Sequence, residues 1–518
     1  MRSLLLAIVT ALTVNLAAAV EVAGVRLDEK VRVGNSELLF NGGGLRKKLL
    51  IKVYVMGLYL PEKRSDAQNR SWYHYIKEEM PRPAIPQIKQ FRLGNGIEVY
   101  FLAASQVPLV QMQVYVEGGG FEVADDKLGV HGLWGETVVF SGSEKLDRDK
   151  LSAYLEDRAS GFTFHGGAER SAFTLNSMSH YFARDVREMF GVLQSPRLAE
   201  EDFELLRKRV LQELERRDEN PGKWASLGMT KLFWGDSLRG RYATVRTVKN
   251  VNRADLVQWQ KKMWRGERLS LAVTGAIDEA KLKNLLEETF GKLAYDAKAK
   301  VDLNAMHVKP SAKPNTLSLL PKEIPQTTVI YKAPGMKHTD ADYYALRVFD
   351  FLLGGDSFNS YLTQKIRTEK GWAYSAYSTF ETDDFTGSVM LFTQTANMNL
   401  PDVIAAIDDI LAKPEAFVST DKINQAKLSL KNKFVFLFEN PVQYMKLFLQ
   451  LKWDGLPESY LPDYVQQLSK VTEADVLRVA KKYYRPENFT VLLCGPQDIY
   501  QKKSALRPES AAELKLEK

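Results

Sequence analysis

Two stretches of the chain carry the same order of apolar and polar positions. Residues 251–275 (VNRADLVQWQKKMWRGERLSLAVTG) lie without gaps on residues 471–495 (VTEADVLRVAKKYYRPENFTVLLCG), at an offset of 220. Val251/Val471, Ala254/Ala474, Asp255/Asp475, Lys261/Lys481, Lys262/Lys482, Arg265/Arg485, Glu267/Glu487 and Gly275/Gly495 are identical pairs. The spacing in each copy predicts a capped helix closing on an aromatic or apolar pair, then an apolar strand stopped by glycine. A unit of about 200 residues is therefore duplicated.

The first unit is expected to open with a strand pair over residues 91–101 that turns at Gly94-Asn95-Gly96, then an alternating strand over 109–117. Helical periodicity covers 184–193 and 200–217, and Asn220-Pro221-Gly222 stops the second of these helices. The second unit repeats the logic with a strand at 327–332, a helix at 340–353, a strand at 373–379 and a helix at 401–411. The fold class is thus α+β, as two tandem homologous units spanning 87–295 and 316–500. The polar, proline-containing stretch 296–315 reads as the linker between them. Pro81, Pro83 and Pro86 set off an N-terminal piece over 20–70, and the charged tail 501–518 reads as a frayed helix.

Composition adds bounds. A chain of 518 residues with 45% hydrophobic and 26% charged positions is globular and too long for one core. Residues 1–19 have the charged start (Arg2), apolar run (4–16) and Ala17-Ala18-Ala19 exit of a signal peptide, with cleavage after Ala19 and a periplasmic or secreted destination. The apolar run is shorter than the roughly 20 residues a spanning helix needs, so stable membrane insertion is not expected. The single Cys494 excludes internal disulfides and a cysteine zinc site. Net charge is +7, but Lys and Arg are interspersed with Asp and Glu, which argues against nucleic acid as a partner.

Five segments bring a family into view: LGNGIEVYFL from Leu93, KLGVHGLWGE from Lys127, VLQELERRDENP from Val210, TVKNVNRADLVQWQKKMW from Thr247 and LTQKIRTEKGWAYS from Leu362. With the duplication, they resemble the insulinase/pitrilysin zinc peptidases, or inverzincins, over residues 87–497. That resemblance implies two α/β-sandwich units of the insulinase/mitochondrial-processing-peptidase type. Active members carry H-x-x-E-H on a helix, two histidines sharing a face to hold zinc while the glutamate activates water. Here the helix reads His131-Gly132-Leu133-Trp134-Gly135, so Trp134 stands at the general-base position and Gly135 at the second ligand. Glu136, five residues from His131, is turned by about 500° and leaves the ligand face. Glu213 matches the family's third ligand. His131 and Glu213 are relict positions, and two groups do not make a three-ligand zinc site. Unconventional metal binding by His131, His165 and Glu213 together is disfavoured. No metal, no cofactor and no catalytic residue is expected.

A second family signature is intact. Gly371 reads as a helix stop that puts Arg367 in the last turn and Tyr374 on the next strand. In the family, the matching arginine and tyrosine bind the substrate backbone, so Arg367 and Tyr374 are the expected substrate-binding residues. The resemblance then implies an exported pseudopeptidase that is not catalytic alone. It would be the peptide-binding subunit of a heterodimer with a zinc-bearing homologue. Two alternatives remain: a purely structural scaffold, or an atypical active metallopeptidase. The glycine-containing run 352–360 resembles the family's loop and lacks the spacing and lysine of a phosphate cradle. Residues 20 to about 67 look like the start of a bacterial chalcone-isomerase-like protein, too short to close a ligand-binding sheet.

Overall fold

A computed structural model describes strands between residues 19 and 60, and residues 85–299, 301–356, 359–498 and 511–518. The segment 1–18, which holds most of the expected signal peptide, lies outside the described residues. The chain divides into two compact units, Met1–Glu78 and Glu79–Lys518. The smaller unit pairs β1 (Ala19–Val22) with β2 (Val25–Asp28) and builds an antiparallel sheet from β3 (Lys30–Val33), β4 (Ser36–Lys48) and β5 (Ile51–Leu60).

The larger unit contains two six-stranded sheets. The first comprises β6 (Lys89–Arg92), β7 (Glu98–Ala103), β8 (Leu109–Glu117), β9 (Gly161–His165), β10 (Arg170–Met178) and β11 (Leu269–Gly275), in the order β6-β7-β11-β8-β10-β9. The second comprises β12 (Thr316–Pro321), β13 (Gln326–Pro334), β14 (Ala373–Glu381), β15 (Ser388–Ala396), β16 (Thr490–Gly495) and β17 (Ala511–Glu513). Its order is β14-β15-β13-β16-β12-β17. Taken from the other end, the second sheet repeats the first, and in both the ladder made by the duplicated strand with the unit's opening strand is parallel (β7–β11, β12–β16). The duplicated helices, Arg253–Met263 and Glu473–Tyr483, start at the same repeat position. Each is closed by a reciprocal capping box, Asn252 with Asp255 and Thr472 with Asp475.

Both sheets are apolar on both faces, because strand side chains alternate. On β7, Val99 and Phe101 face the first unit's own helices while Tyr100 and Leu102 belong to the core of the second half. On β16, Val491 and Leu493 face one core and Leu492 and Cys494 another. The covering layers are exchanged between the halves. The helix Pro221–Trp234 of the first half lays Trp224, Met229 and Phe233 on Ile330 and Leu492 of the second sheet. The helix Pro441–Trp453 of the second half returns the cover, with Phe448 6.2 Å from Tyr100 and Trp453 4.8 Å from Tyr115, edge to face. Both helices begin with Glu-Asn-Pro, at 219–221 and 439–441, again 220 residues apart. Asn220 accepts from the amide of Lys223 at 3.0 Å and Asn440 from that of Gln443 at 3.1 Å, and proline follows where no donor is lost. A Cβ at Gly228 would stand 2.9 Å from Leu320 Cδ2, so glycine sets how closely the first exchanged helix approaches.

Two expectations need correction. The tail is not a frayed helix: β17 runs parallel to β12, with Leu317 opposite Ala511 and Leu319 opposite Glu513. The alternation Leu514-Lys515-Leu516-Glu517 is a strand pattern, and both leucines join the core beneath the helix Pro221–Trp234. Lys518 then pairs with Asp218 at 2.8 Å and its carbonyl accepts from the Val245 amide at 2.8 Å, so the tail ties the second sheet to the first half. The helix expected at 340–353 is α-helical over Tyr343–Asp350 and widens to a π-helix at Phe351–Gly355. Gly354 packs against the Ser378 backbone there, leaving no room for a side chain. Within the expected linker 296–315, Met306 is buried and its carbonyl is held by Arg239 Nε at 2.8 Å.

Deleting residues 511–518 uncovers the β12 edge and two leucines. Thermal melts should drop by about 1 °C for each kcal/mol lost, because the unfolding entropy of so long a unit is large, and Leu514→Asp should reproduce much of the fall.

Candidate functional site

The motif helix is Val130–Ser141, opened by Gly129 at φ 111°, a conformation that favours glycine. His131 is buried, and both ring nitrogens are engaged. The Trp259 indole N–H donates to Nδ1 at 3.0 Å, which places the ring proton on Nε2, 2.6 Å from Ser171 Oγ. Trp134 is fully buried and donates to Gln260 Oε1 at 2.7 Å. Phe164 closes the group, its ring 5.7 Å from both His131 and Trp134. A Cβ built on Gly135 would fall inside the Phe164 ring. The space beside Gly135 is therefore filled by an aromatic side chain from β9.

The remaining candidates are directed elsewhere. His165 follows Phe164 on the strand, so it points to the opposite face and is exposed. Glu213, on the helix Glu200–Glu215, is exposed and lies beside Glu136, with Arg209 as the cation acting on the pair. Burial and then the Glu213 charge raise the Glu136 carboxyl, against the opposing pull of Arg209. The carboxylate acting on His131 is instead Glu122, itself held by Arg268 at 2.8 Å. Among the described residues no three His, Cys, Asp or Glu side chains gather as a metal cluster. The residues present do not fit zinc: one His131 ring nitrogen accepts a hydrogen bond from the Trp259 indole, the other carries the ring proton, and His131 and Glu213 line different clefts.

In the second half, Arg367 and Tyr374 are brought together. Arg367 lies in the π-helical segment Thr363–Glu369, and Gly371 ends the turn at φ 63°, its amide donating to the Arg367 carbonyl at 3.1 Å. The guanidinium carbon stands 4.8 Å from the Tyr374 ring centroid. β14 is the edge strand of its sheet, and it bulges where Tyr374 and Ser375 face only Gln394. The bulge turns Tyr374 into solvent at 84% exposure. Gln394 also lines a cleft of about 1140 Å3 between the halves, whose other wall carries Arg209, Glu213, Arg216 and Lys223. His131 lines a different cleft of about 720 Å3, bridged by Arg239 Nη1 to Asp383 Oδ2 at 2.6 Å.

Two family profiles match the chain: chalcone isomerase-like over residues 19–77 and peptidase M16 inactive domain over residues 250–430. The solved peptidase M16 inactive domain from Pseudomonas fluorescens superposes with a TM-score of 0.69 at 19% identity, covering 83% of this chain and all of that one. The larger unit has the fold of the M16-type peptidases. The periplasmic protease PqqL of Escherichia coli shares this M16-type fold at a TM-score of 0.67 and 14% identity, covering 81% of this chain and 47% of that one. An uncharacterized zinc protease of Streptomyces coelicolor is 25% identical over 363 residues, 67% of this chain and 76% of its own. Subunit 1 of the Bos taurus mitochondrial cytochrome b-c1 complex is 22% identical over 296 residues, 56% of this chain and 59% of its own. No helix among the described residues is long and apolar enough to cross a membrane.

Two measurements test the cluster around His131. Gly135→Ala should destabilise by about 1–3 kcal/mol, because the methyl must displace Phe164, and Phe164→Leu in the same chain should recover part of the loss on chemical denaturation. Burial holds the His131 imidazole down at about 4, from an ordinary 6.5. The unfolded chain therefore takes up the proton first as pH falls. The stability this neutral histidine contributes is complete above pH 6.5 and is lost between 6.5 and about 4, amounting to about 3 kcal/mol. Urea melts across that window should show the loss, and His131→Gln should flatten it.

Proposed function

We propose that this chain is an exported, non-catalytic subunit that binds peptide and completes the active site of a zinc-bearing homologue. One observation carries the reading: Arg367 is stacked against an outward-turned Tyr374 at the edge of the second sheet, while in the first half Trp134 stands at the base position and Phe164 packs against Gly135. A fixed guanidinium fork and a phenol suit a peptide carbonyl that gains negative charge during hydrolysis. Zinc and the activated water then come from the partner, and no catalytic group is asked of His131 or Glu213. The likeness to a periplasmic protease and the sequence of residues 1–19 support export.

The test is reconstitution with a homologue carrying H-x-x-E-H from the same source. Neither chain alone should cleave a quenched-fluorescent peptide at the rate of the mixture. Arg367→Ala and Tyr374→Phe should each lower kcat/KM of the mixture, the former by roughly a hundredfold, without changing complex formation on gel filtration. An unchanged rate with Arg367→Ala removes the assigned role. The similarity to a respiratory-complex subunit favours a scaffold as the second reading, in which the complex forms and both substitutions are silent.

A further inference from the structure

The second half contains a cavity of about 290 Å3 walled by four helices: Tyr343–Asp350, Thr420–Val435, Pro441–Trp453 and Tyr460–Lys470. Its sides are leucines and Phe434, including Leu430, Leu447 and Leu461. Two cations also line it, Arg347 and Lys433, and no carboxylate does. Arg347 is largely out of water, hydrogen-bonded to the Tyr464 phenol, with Tyr343 alongside and the Phe380 ring 5.9 Å away. The neighbouring carboxylate on its own helix is Asp350, whose charge acts on Arg347 while its hydrogen bonds go to Ser378 Oγ at 2.6 Å and Tyr484 at 3.4 Å. No carboxylate among the described residues forms an ion pair with Arg347. Lys433 reaches Asp356 only at 3.5 Å and otherwise lies over the Phe351 ring.

The lining thus offers two cations and a phenol to an anionic head and apolar walls to a tail, with no carboxylate in the wall to oppose them. We propose that this cavity is a binding site for a small amphiphilic monocarboxylate, its head on Arg347 and the Tyr464 phenol and its alkyl chain along Leu430, Phe434 and Leu447. At roughly 30 Å3 for each water-sized group, the volume holds about ten non-hydrogen atoms, the size of octanoate. The mouth is apolar as well, since Leu437 lines the cavity at 40% exposure and its neighbour Phe436 is 53% exposed, so a longer chain has a surface to leave by. The site is separate from Arg367 and Tyr374 and does not depend on the peptide-binding reading.

Calorimetric titration of the full chain with octanoate, and with octanol as the uncharged equivalent, tests it. Octanoate should bind saturably and about tenfold or more tighter than octanol. Arg347→Met, which keeps the volume and removes the charge, should abolish that preference and leave octanol binding as it was. Should Arg347→Met fail to fold, Leu437→Trp at the exposed rim decides, because narrowing the mouth must weaken octanoate without lowering the melting temperature. Octanoate binding no tighter than octanol, an Arg347→Met affinity equal to that of the parent chain, or unaltered binding in Leu437→Trp overturns the proposal. So does displacement of octanoate at lower concentration by a short peptide ending in leucine, which would assign the cavity to a chain terminus.

Discussion

The exchange of two helices between the halves is the constraint on which the rest of the larger unit depends. Each sheet has two apolar faces, and its own helices cover only one. The second face of each is dried by a helix that belongs to the other half, Pro221–Trp234 going one way and Pro441–Trp453 the other. At about 1.5–3 kcal/mol for each large apolar side chain taken from water, Trp224, Met229 and Phe233 alone represent a loss that a separated second half could not absorb. The halves therefore fold as mutual cover, and the clefts between them are defined by that packing. Arg239 to Asp383 and the tail from β17 to Lys518 reinforce a geometry already fixed by the exchanged helices.

Within this frame the two halves have diverged in what they do with corresponding positions. On the motif helix, Trp134 and Gly135 stand where the H-x-x-E-H pattern has glutamate and histidine. Phe164 from a neighbouring strand packs against them, so the helix is held by aromatic packing. The second half has kept a different kind of feature. A π-helical turn, a glycine at positive φ and a β-bulge each depart from regular structure, and together they set Arg367 beneath an outward-facing ring. Such irregularities weaken a fold and persist where they aim a side chain.

Much of this was legible in the sequence. The repeat at 251–275 and 471–495 yielded the same helix, cap and strand twice, because capping boxes and glycine stops are local chemistry. The strands at 109–117 and 327–332 were visible through alternation. The exchange of helices was not, although Glu219-Asn220-Pro221 and Glu439-Asn440-Pro441 carry its signature at the same offset. Local pattern says where a helix starts but not which sheet it will cover. The tail was misjudged for a similar reason. Charge and alanine along 501–518 suggested a frayed helix, while Leu514 and Leu516 acquire their meaning only from the open edge of β12. The packing at the motif helix was half visible: Gly135 departs from the H-x-x-E-H pattern in the sequence, but only the structure shows Phe164 against it.

The ring cluster around His131 has one further consequence. Trp134 and Trp259 both lie within 6 Å of that imidazole, at 5.6 and 5.9 Å between ring centres, and both are shielded from water. An indole emits at shorter wavelength when dry, and a nearby imidazole quenches it strongly once protonated. The first half is therefore its own optical reporter, in which loosening of the cluster and protonation of the histidine give separate signals, a red shift and a loss of intensity, without any label.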